Sequence, residues 1–199
     1  MQGSRAARRQ AIVVIIIATL VFCLNEYHAP FSHRAWDNML FYVAIPLIAI
    51  FALRQNPLTY GLGIGDWKWT LGSTAIGAIG VALLLWLASY VPELRAYYRP
   101  QRPPPEALWA WLGLVAVELF AWEFLWRAFM LFGLESALGE MAIYVQMIPF
   151  AIAHIDKPEI ETLSSIAGGI LLGYLIRRCR SFWPAFLLHF FLYAGIHFI

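Results

Sequence analysis

Long apolar runs separated by short polar joints dominate the hydropathy pattern of this 199-residue chain. A helix needs about 20 apolar residues to cross the ~30 Å hydrocarbon layer of a bilayer. The pattern therefore predicts an all-α fold, a polytopic transmembrane helical bundle of about seven spans, with eight as the alternative count. The first and fifth runs are short, which predicts tilted or partly buried spans. The runs cover about residues 11–24, 36–53, 70–91, 107–133, 141–154, 162–177 and 182–198.

Composition supports a membrane protein. Hydrophobic residues make up 61% of the chain and charged residues only 13%, about half the ~25% that is usual for a soluble domain. The many Trp, Tyr and Phe residues suit the aromatic belts at membrane interfaces. The net charge of +2 is too small to suggest a nucleic-acid partner, so the lipid bilayer is the predicted environment.

The longest polar joint, residues 92–106, divides the chain into two parts of one integral membrane domain. Its prolines are expected to prevent a helix there, and its Tyr and Arg side chains suit the headgroup layer. We predict an N-terminal three-span part with this interfacial loop over residues 1–106. A four-span part follows over residues 107–199 and contains all the candidate chemistry.

The basic residues of the joints predict the orientation of the bundle. With the N-terminus inside, eight Lys and Arg residues lie in inner joints and five in outer joints, which favours a cytoplasmic N-terminus. Seven spans then place the C-terminus outside, and we predict an integral protein of a prokaryotic inner membrane. The inner set is Arg5, Arg8, Arg9, Arg54, Lys68, Arg177, Arg178 and Arg180, and the outer set is Arg34, Arg95, Arg99, Arg102 and Lys157.

Two carboxylates and a guanidinium interrupt the fourth run. Glu123 and Arg127 are four residues apart on one helix face, so each offsets the cost of the other's charge in the membrane. We interpret Glu123 as a general base whose charge Arg127 balances, and a purely structural ion pair is the alternative. Glu118 points about 140° away around the helix; it is a secondary catalytic candidate or a partly solvated residue.

Single histidines occur in two later runs. His154 ends the fifth run and His189 lies within the seventh. Burying an imidazole without a partner is costly, and the predicted depths of both residues are similar to that of Glu123. We therefore expect the three side chains to converge on one cavity. The alternatives are an interfacial position for His154 and a helix–helix hydrogen bond for His189.

The candidate chemistry is hydrolytic, and its cofactor requirement stays open. The chain contains no His-Glu-x-x-His run, no Gly-x-Ser-x-Gly elbow and no phosphate loop. One Glu and two His can activate water directly, with the imidazoles stabilising the oxyanion. We favour no cofactor, and a zinc ion held by Glu123, His154 and His189 is the alternative.

These motifs resemble the CPBP family of intramembrane proteases, which includes type 2 CAAX prenyl endopeptidases and bacteriocin-processing relatives, also called Abi. The family pattern is Glu-Glu-x-x-x-Arg, then Phe-x-x-x-His, then His-x-x-x-Asn/Asp on successive spans. The corresponding runs here are Trp122–Arg127, Phe150–His154 and His189–Tyr193. The resemblance covers about residues 107–195. Around Trp122 and Lys157 the sequence also resembles bacterial subfamilies thought to process C-terminal sorting signals.

The resemblance implies an intramembrane endopeptidase that cleaves membrane-anchored protein or peptide substrates. Glu123 would activate water and Arg127 would hold the carboxylate. His154 and His189 would orient the water and stabilise the oxyanion.

Two departures from the family pattern leave other functions open. The family's first Glu, usually given the catalytic role, is Trp122 here, and its closing Asn or Asp is Tyr193. Either Glu123 takes over the base role, or Glu118 replaces the missing carboxylate from one turn away, or the chain is inactive. The alternatives to a protease are an inactive membrane scaffold of the same family and a proton-coupled transporter.

Overall fold

A computed structural model describes the backbone of residues 2–199 and the side-chain surroundings of residues 5–199. No strand occurs within that range, so the predicted all-α class is confirmed. Residues 2–199 form eight helices, which are α1 Gln2–Tyr27, α2 Arg34–Ala52, α3 Trp67–Ala88, α4 Pro92–Tyr98, α5 Pro105–Leu138, α6 Met141–Ile152, α7 Glu159–Cys179 and α8 Trp183–Ile196.

Seven of these helices correspond to the seven predicted runs, but their lengths differ. Five helices, α1, α2, α3, α5 and α7, are long and apolar enough to cross a membrane. With 12 and 14 residues, α6 and α8 reach only about 18 and 21 Å. The prediction of a short first span is wrong, because α1 has 26 residues. Hydropathy marks only its apolar part, whereas the preceding Arg and Ala residues are also good helix formers.

The joint after α3 also differs from its prediction. We expected its prolines to exclude a helix, yet α4 begins at Pro92. Proline is tolerated in the first turn because the N–H that it lacks would have no partner there. Leu94 and Tyr98 are buried, so α4 packs onto the bundle instead of forming an open loop.

The fourth predicted span, now α5, changes its helical geometry in the middle. It is α-helical over Leu108–Glu123, π-helical over Phe124–Phe132 and α-helical again over Gly133–Leu138. All nine residues of the π-helical segment are buried. Such wide turns are rare and are frequent at functional sites. The change begins directly after Glu123, the principal candidate of the sequence analysis.

The N-terminal helices pack against this π-helical segment. Val14 of α1 and Tyr42 of α2 are fully buried in the same apolar core as Phe124 and Phe129. Tyr60, in the joint after α2, stacks on Phe129 with ring centroids 6.3 Å apart. The first part of the chain therefore contributes to the packing that fixes α5.

Polar contacts at the two ends of the bundle show which joints lie together. At one end, Arg178 contacts Asp66 at 3.7 Å and Gln10 donates to the carbonyl of Gly133 at 3.2 Å. At the other end, Arg99 Nε donates to the carbonyl of Ile199 at 3.0 Å. This grouping agrees with the predicted inner and outer sets, and the assignment of the first end to the cytoplasm stays a prediction.

Candidate active site

Glu123 lies at the junction between the α-helical and π-helical parts of α5. Its side chain is fully buried, and His189 Nδ1 of α8 donates to its Oε1 at 2.7 Å. Its other oxygen, Oε2, lies 3.5 Å from Nε of Arg127, whose side chain is also fully buried. The structure thus brings three of the predicted site residues into direct contact. One carboxylate is shared between an imidazole and a guanidinium.

Arg127 faces the bundle interior, and a residue that sequence reasoning missed holds it. Its Nη1 donates to Oε1 of Gln146 on α6 at 2.7 Å. The amide of Gln146 in turn donates to the carbonyls of Ile143 at 2.9 Å and Gly169 at 3.1 Å. Gln146 is the one amide side chain in the apolar run of α6. A lone amide in an apolar helix is the sequence feature that could have identified it as a buried hydrogen-bond partner. Its contacts link α5 to α6 and α7.

His154 lies in the turn after α6 and is largely buried. Its Nδ1 is 2.7 Å from the carbonyl oxygen of Phe150. A carbonyl oxygen can only accept, so Nδ1 carries the proton and Nε2 of the neutral ring keeps its lone pair. Among the hydrogen bonds of the described residues, none joins His154 to Glu123. His154 is therefore a neighbour of the Glu123–His189 pair and not a direct partner.

The ring of Phe150 connects these side chains. The guanidinium carbon of Arg127 lies 4.1 Å from its centroid. The ring centroids of His154 and His189 lie 4.7 and 6.2 Å away. Both predicted histidines and the predicted arginine therefore pack against one aromatic side chain, so the three spans meet at Phe150.

Glu118 occupies a different layer of the bundle. It is half-buried, and no hydrogen bond or ion pair of its side chain occurs within the described part of the chain. The basic side chains whose charge acts on it are Arg34, at the start of α2, and Lys157, in the joint before α7. Glu118 thus lies towards the predicted outer end and apart from the Glu123–His189 pair.

The two residues that depart from the family pattern, Trp122 and Tyr193, both pack against aromatic rings. The ring of Trp122 packs edge-on against Tyr42 at 6.0 Å and His154 at 5.9 Å, measured between centroids. Its indole is therefore the neighbour of His154 at the position where the family has a carboxylate. Tyr193 is 6.4 Å from Tyr98 and 4.9 Å from His197 by the same measure. It packs in an aromatic cluster with the joint residues.

The arrangement does not favour the alternative zinc site. Within the part of the chain that the structure describes, no three His, Cys, Asp or Glu side chains are arranged to hold a metal ion. In the described residues Glu123, His154 and His189 are not grouped as a ligand set, and we derive no step through a metal.

A comparison with protein-family models gives a match to the second part of the chain. Residues 104–194 match the family model described as Type II CAAX prenyl endopeptidase Rce1-like. The matched region begins just before α5 and ends within α8, so it includes Glu123, Gln146 and both histidines. Neither a curated protein nor a solved structure matches the chain.

Proposed function

Because residues 104–194 belong to the Rce1-like branch of the CPBP family, as the motifs predicted, we propose that this chain hydrolyses peptide bonds of membrane-anchored substrates. The family supports a CAAX-type intramembrane protease, and the five long apolar helices support an integral membrane protein. The single observation that carries the proposal is the contact between Glu123 and His189. The resemblance to subfamilies for C-terminal sorting signals stays a prediction about the substrate.

The contact supports a refined role for each residue. The Nδ1–H of His189 donates a hydrogen bond to Glu123. Nε2 of the neutral ring therefore keeps its lone pair and can abstract a proton. The side chain of His189 is 15% exposed and that of Glu123 is 0% exposed. The imidazole is therefore the more accessible of the two groups. We assign His189 as the general base and Glu123 as the residue that orients and stabilises it. This differs from the prediction made from the sequence, in which Glu123 activates water directly.

The reaction then follows a simple course. Nε2 of His189 takes a proton from water while the water oxygen bonds to the scissile carbonyl carbon, and the carbonyl oxygen becomes an oxyanion. The carboxylate of Glu123 stabilises the imidazolium that forms, as the acid of a catalytic triad does. The imidazolium then gives its proton to the leaving nitrogen as the carbon–nitrogen bond breaks.

His154 and Arg127, which both pack against Phe150, support this chemistry. Nε2 of His154 keeps a lone pair that can accept a hydrogen bond from the attacking water and orient it. Arg127 balances the charge of Glu123 in a dry site, and Gln146 holds the guanidinium. The roles predicted for Arg127 and for water orientation by His154 are retained in this proposal.

The test is cleavage by purified protein in detergent or nanodiscs, with a panel of membrane-anchored peptides. Wild type should release product, and Glu123→Gln and His189→Gln should not. Glu93→Gln is the matched control, because Glu93 is an exposed residue of α4. Cleavage by either site variant at the rate of wild type would contradict the proposal.

A second candidate function, the inactive scaffold, has one specific observation in its favour. The family's first carboxylate is replaced by Trp122, whose indole packs against His154 at a centroid distance of 5.9 Å. Under this alternative, membrane-anchored peptides would still bind but no product would form with any of them. Measuring binding and cleavage in the same samples separates the two functions.

A further inference from the structure

An aromatic cage surrounds Lys157 in the joint between α6 and α7. The ammonium of Lys157 lies 5.4 Å from the ring centroid of Tyr97, 5.6 Å from that of Tyr98 and 5.6 Å from that of Tyr193. Two of these rings come from α4 and the third from α8. One lysine thus connects three segments that are distant in sequence.

The tyrosines that form this cage are fixed by contacts of their own. Tyr98 is almost fully buried, and its hydroxyl donates to Oε2 of Glu161 at the start of α7 at 2.6 Å. Burial raises the pKa of Tyr98 above its ordinary value, so the hydroxyl remains a neutral donor. The rings of Tyr98 and Tyr193 also pack against His197, each with a centroid distance of 4.9 Å.

The cage is directly connected to the candidate site. The backbone N–H of Lys157 donates to the carbonyl of His154 at 3.0 Å. The hydroxyl of Thr162 donates to the same carbonyl. Whatever fixes the side chain of Lys157 therefore also fixes the tight turn that begins at His154.

We propose that Lys157 and its tyrosine cage form a latch that positions His154 for peptide cleavage, with Tyr193 as the wall contributed by α8. This inference rests on the proposed function. It also explains a departure from the family pattern, because an Asn or Asp at position 193 has no aromatic face for an ammonium. Lys157 is a positioning residue, since it acts on the reaction only through His154.

The physical basis is the attraction between an ammonium and the negative faces of aromatic rings, which strengthens when water is excluded. The methylene stem of Lys157 can pack along the same rings while its charge remains at the level of the headgroups. Three rings on one ammonium restrict the joint more than a single surface pair would.

The first experiment measures hydrogen exchange of residues 153–162 in the full-length protein in nanodiscs. Lys157→Met and Tyr193→Leu should each accelerate exchange about tenfold, and the double variant should add little, because either change opens the same cage. Lys157→Arg and Tyr193→Phe should exchange like wild type, since they retain the cation and the ring. Unchanged exchange in both Lys157→Met and Tyr193→Leu would overturn the latch.

Lys68→Met is the matched control for that experiment. Lys68 also lies over an aromatic ring, at 5.8 Å from that of Trp67, but it is exposed at the start of α3. Its replacement should leave exchange of residues 153–162 unchanged. If Lys157→Met does not fold, the comparison of Tyr193→Leu with Tyr193→Phe gives the same test.

The second experiment separates the latch from the proposed function. With a cleaved peptide, Lys157→Met should lower kcat about tenfold with little change in KM, and Lys157→Arg should restore it. Faster exchange with unchanged kcat would overturn the positioning role. If wild type cleaves no peptide, the proposed function fails, whereas the exchange data still decide whether the latch exists.

Discussion

Nδ1 of His189 and Oε1 of Glu123 lie 2.7 Å apart, although the two residues are 66 positions apart in the chain. The contact joins α8 to the point where α5 changes from α-helical to π-helical geometry. A buried carboxylate on one imidazole nitrogen leaves the other nitrogen free to act as a base.

Replacing Glu123 by Gln should abolish cleavage while the protein still assembles. The amide is nearly isosteric but carries no negative charge to stabilise an imidazolium, so kcat should fall about 10²–10⁴-fold. Helical content and gel-filtration behaviour should resemble those of wild type, because Gln146 still binds Arg127. Turnover close to that of wild type would remove Glu123 from the mechanism.

Combining Glu123→Gln with His189→Gln should cost hardly more activity than either change alone. Residues that act as one unit have strongly non-additive effects on kcat. The measurement is a double-mutant cycle of kcat/KM with one membrane-anchored peptide. Two independent losses that multiply would show that the residues act in separate steps.

Arg127→Lys and Arg127→Ala should separate catalysis from architecture. Lysine keeps the charge but loses the planar fork, so activity should fall more than stability. Alanine leaves the buried Glu123 without its cation and should cost about 3–5 kcal/mol of stability as well. Thermal unfolding in detergent measures the stability of both variants, and the peptide-cleavage assay measures their activity. An Arg127→Ala protein that melts like wild type would contradict the buried-pair argument.

Gln146→Leu should lower the melting temperature and reduce activity. The change leaves Nη1 of Arg127 without its acceptor, a loss of about 1–3 kcal/mol for a buried group. Gln101→Leu is the control, because Gln101 is exposed and donates only to the carbonyl of Tyr97 at 2.9 Å. Equal melting temperatures for the two variants would show that Gln146 does not hold Arg127.

Glu118→Gln should retain cleavage within about threefold of wild type. Glu118 is affected by the charges of Arg34 and Lys157, whereas Glu123 pairs with His189 and Arg127. The same assay with the same peptide measures this variant. A loss as deep as that of Glu123→Gln would move the base to Glu118, in line with the secondary candidate of the sequence analysis.

The sequence alone determined the helical class and the order of the apolar segments, and its motifs predicted the family whose model residues 104–194 match. These properties depend on local composition and on motif spacing, which are read along the chain. The same information identified Glu123, Arg127, His154 and His189 as unusual, because an ionisable side chain in an apolar run is costly wherever the run packs. The contacts of Arg178 with Asp66 and of Arg99 with Ile199 agree with the predicted grouping of the joints.

Only the tertiary structure decided which of these residues touch. Whether His154 or His189 reaches Glu123 depends on the rotation of each helix about its axis, and that rotation is set by packing against neighbours. The π-helical segment that follows Glu123 shifts the helix register in a way that hydropathy does not encode. Gln146 and the cage around Lys157 were missed for the same reason, since their partners lie on other helices and acquire meaning only when those helices meet.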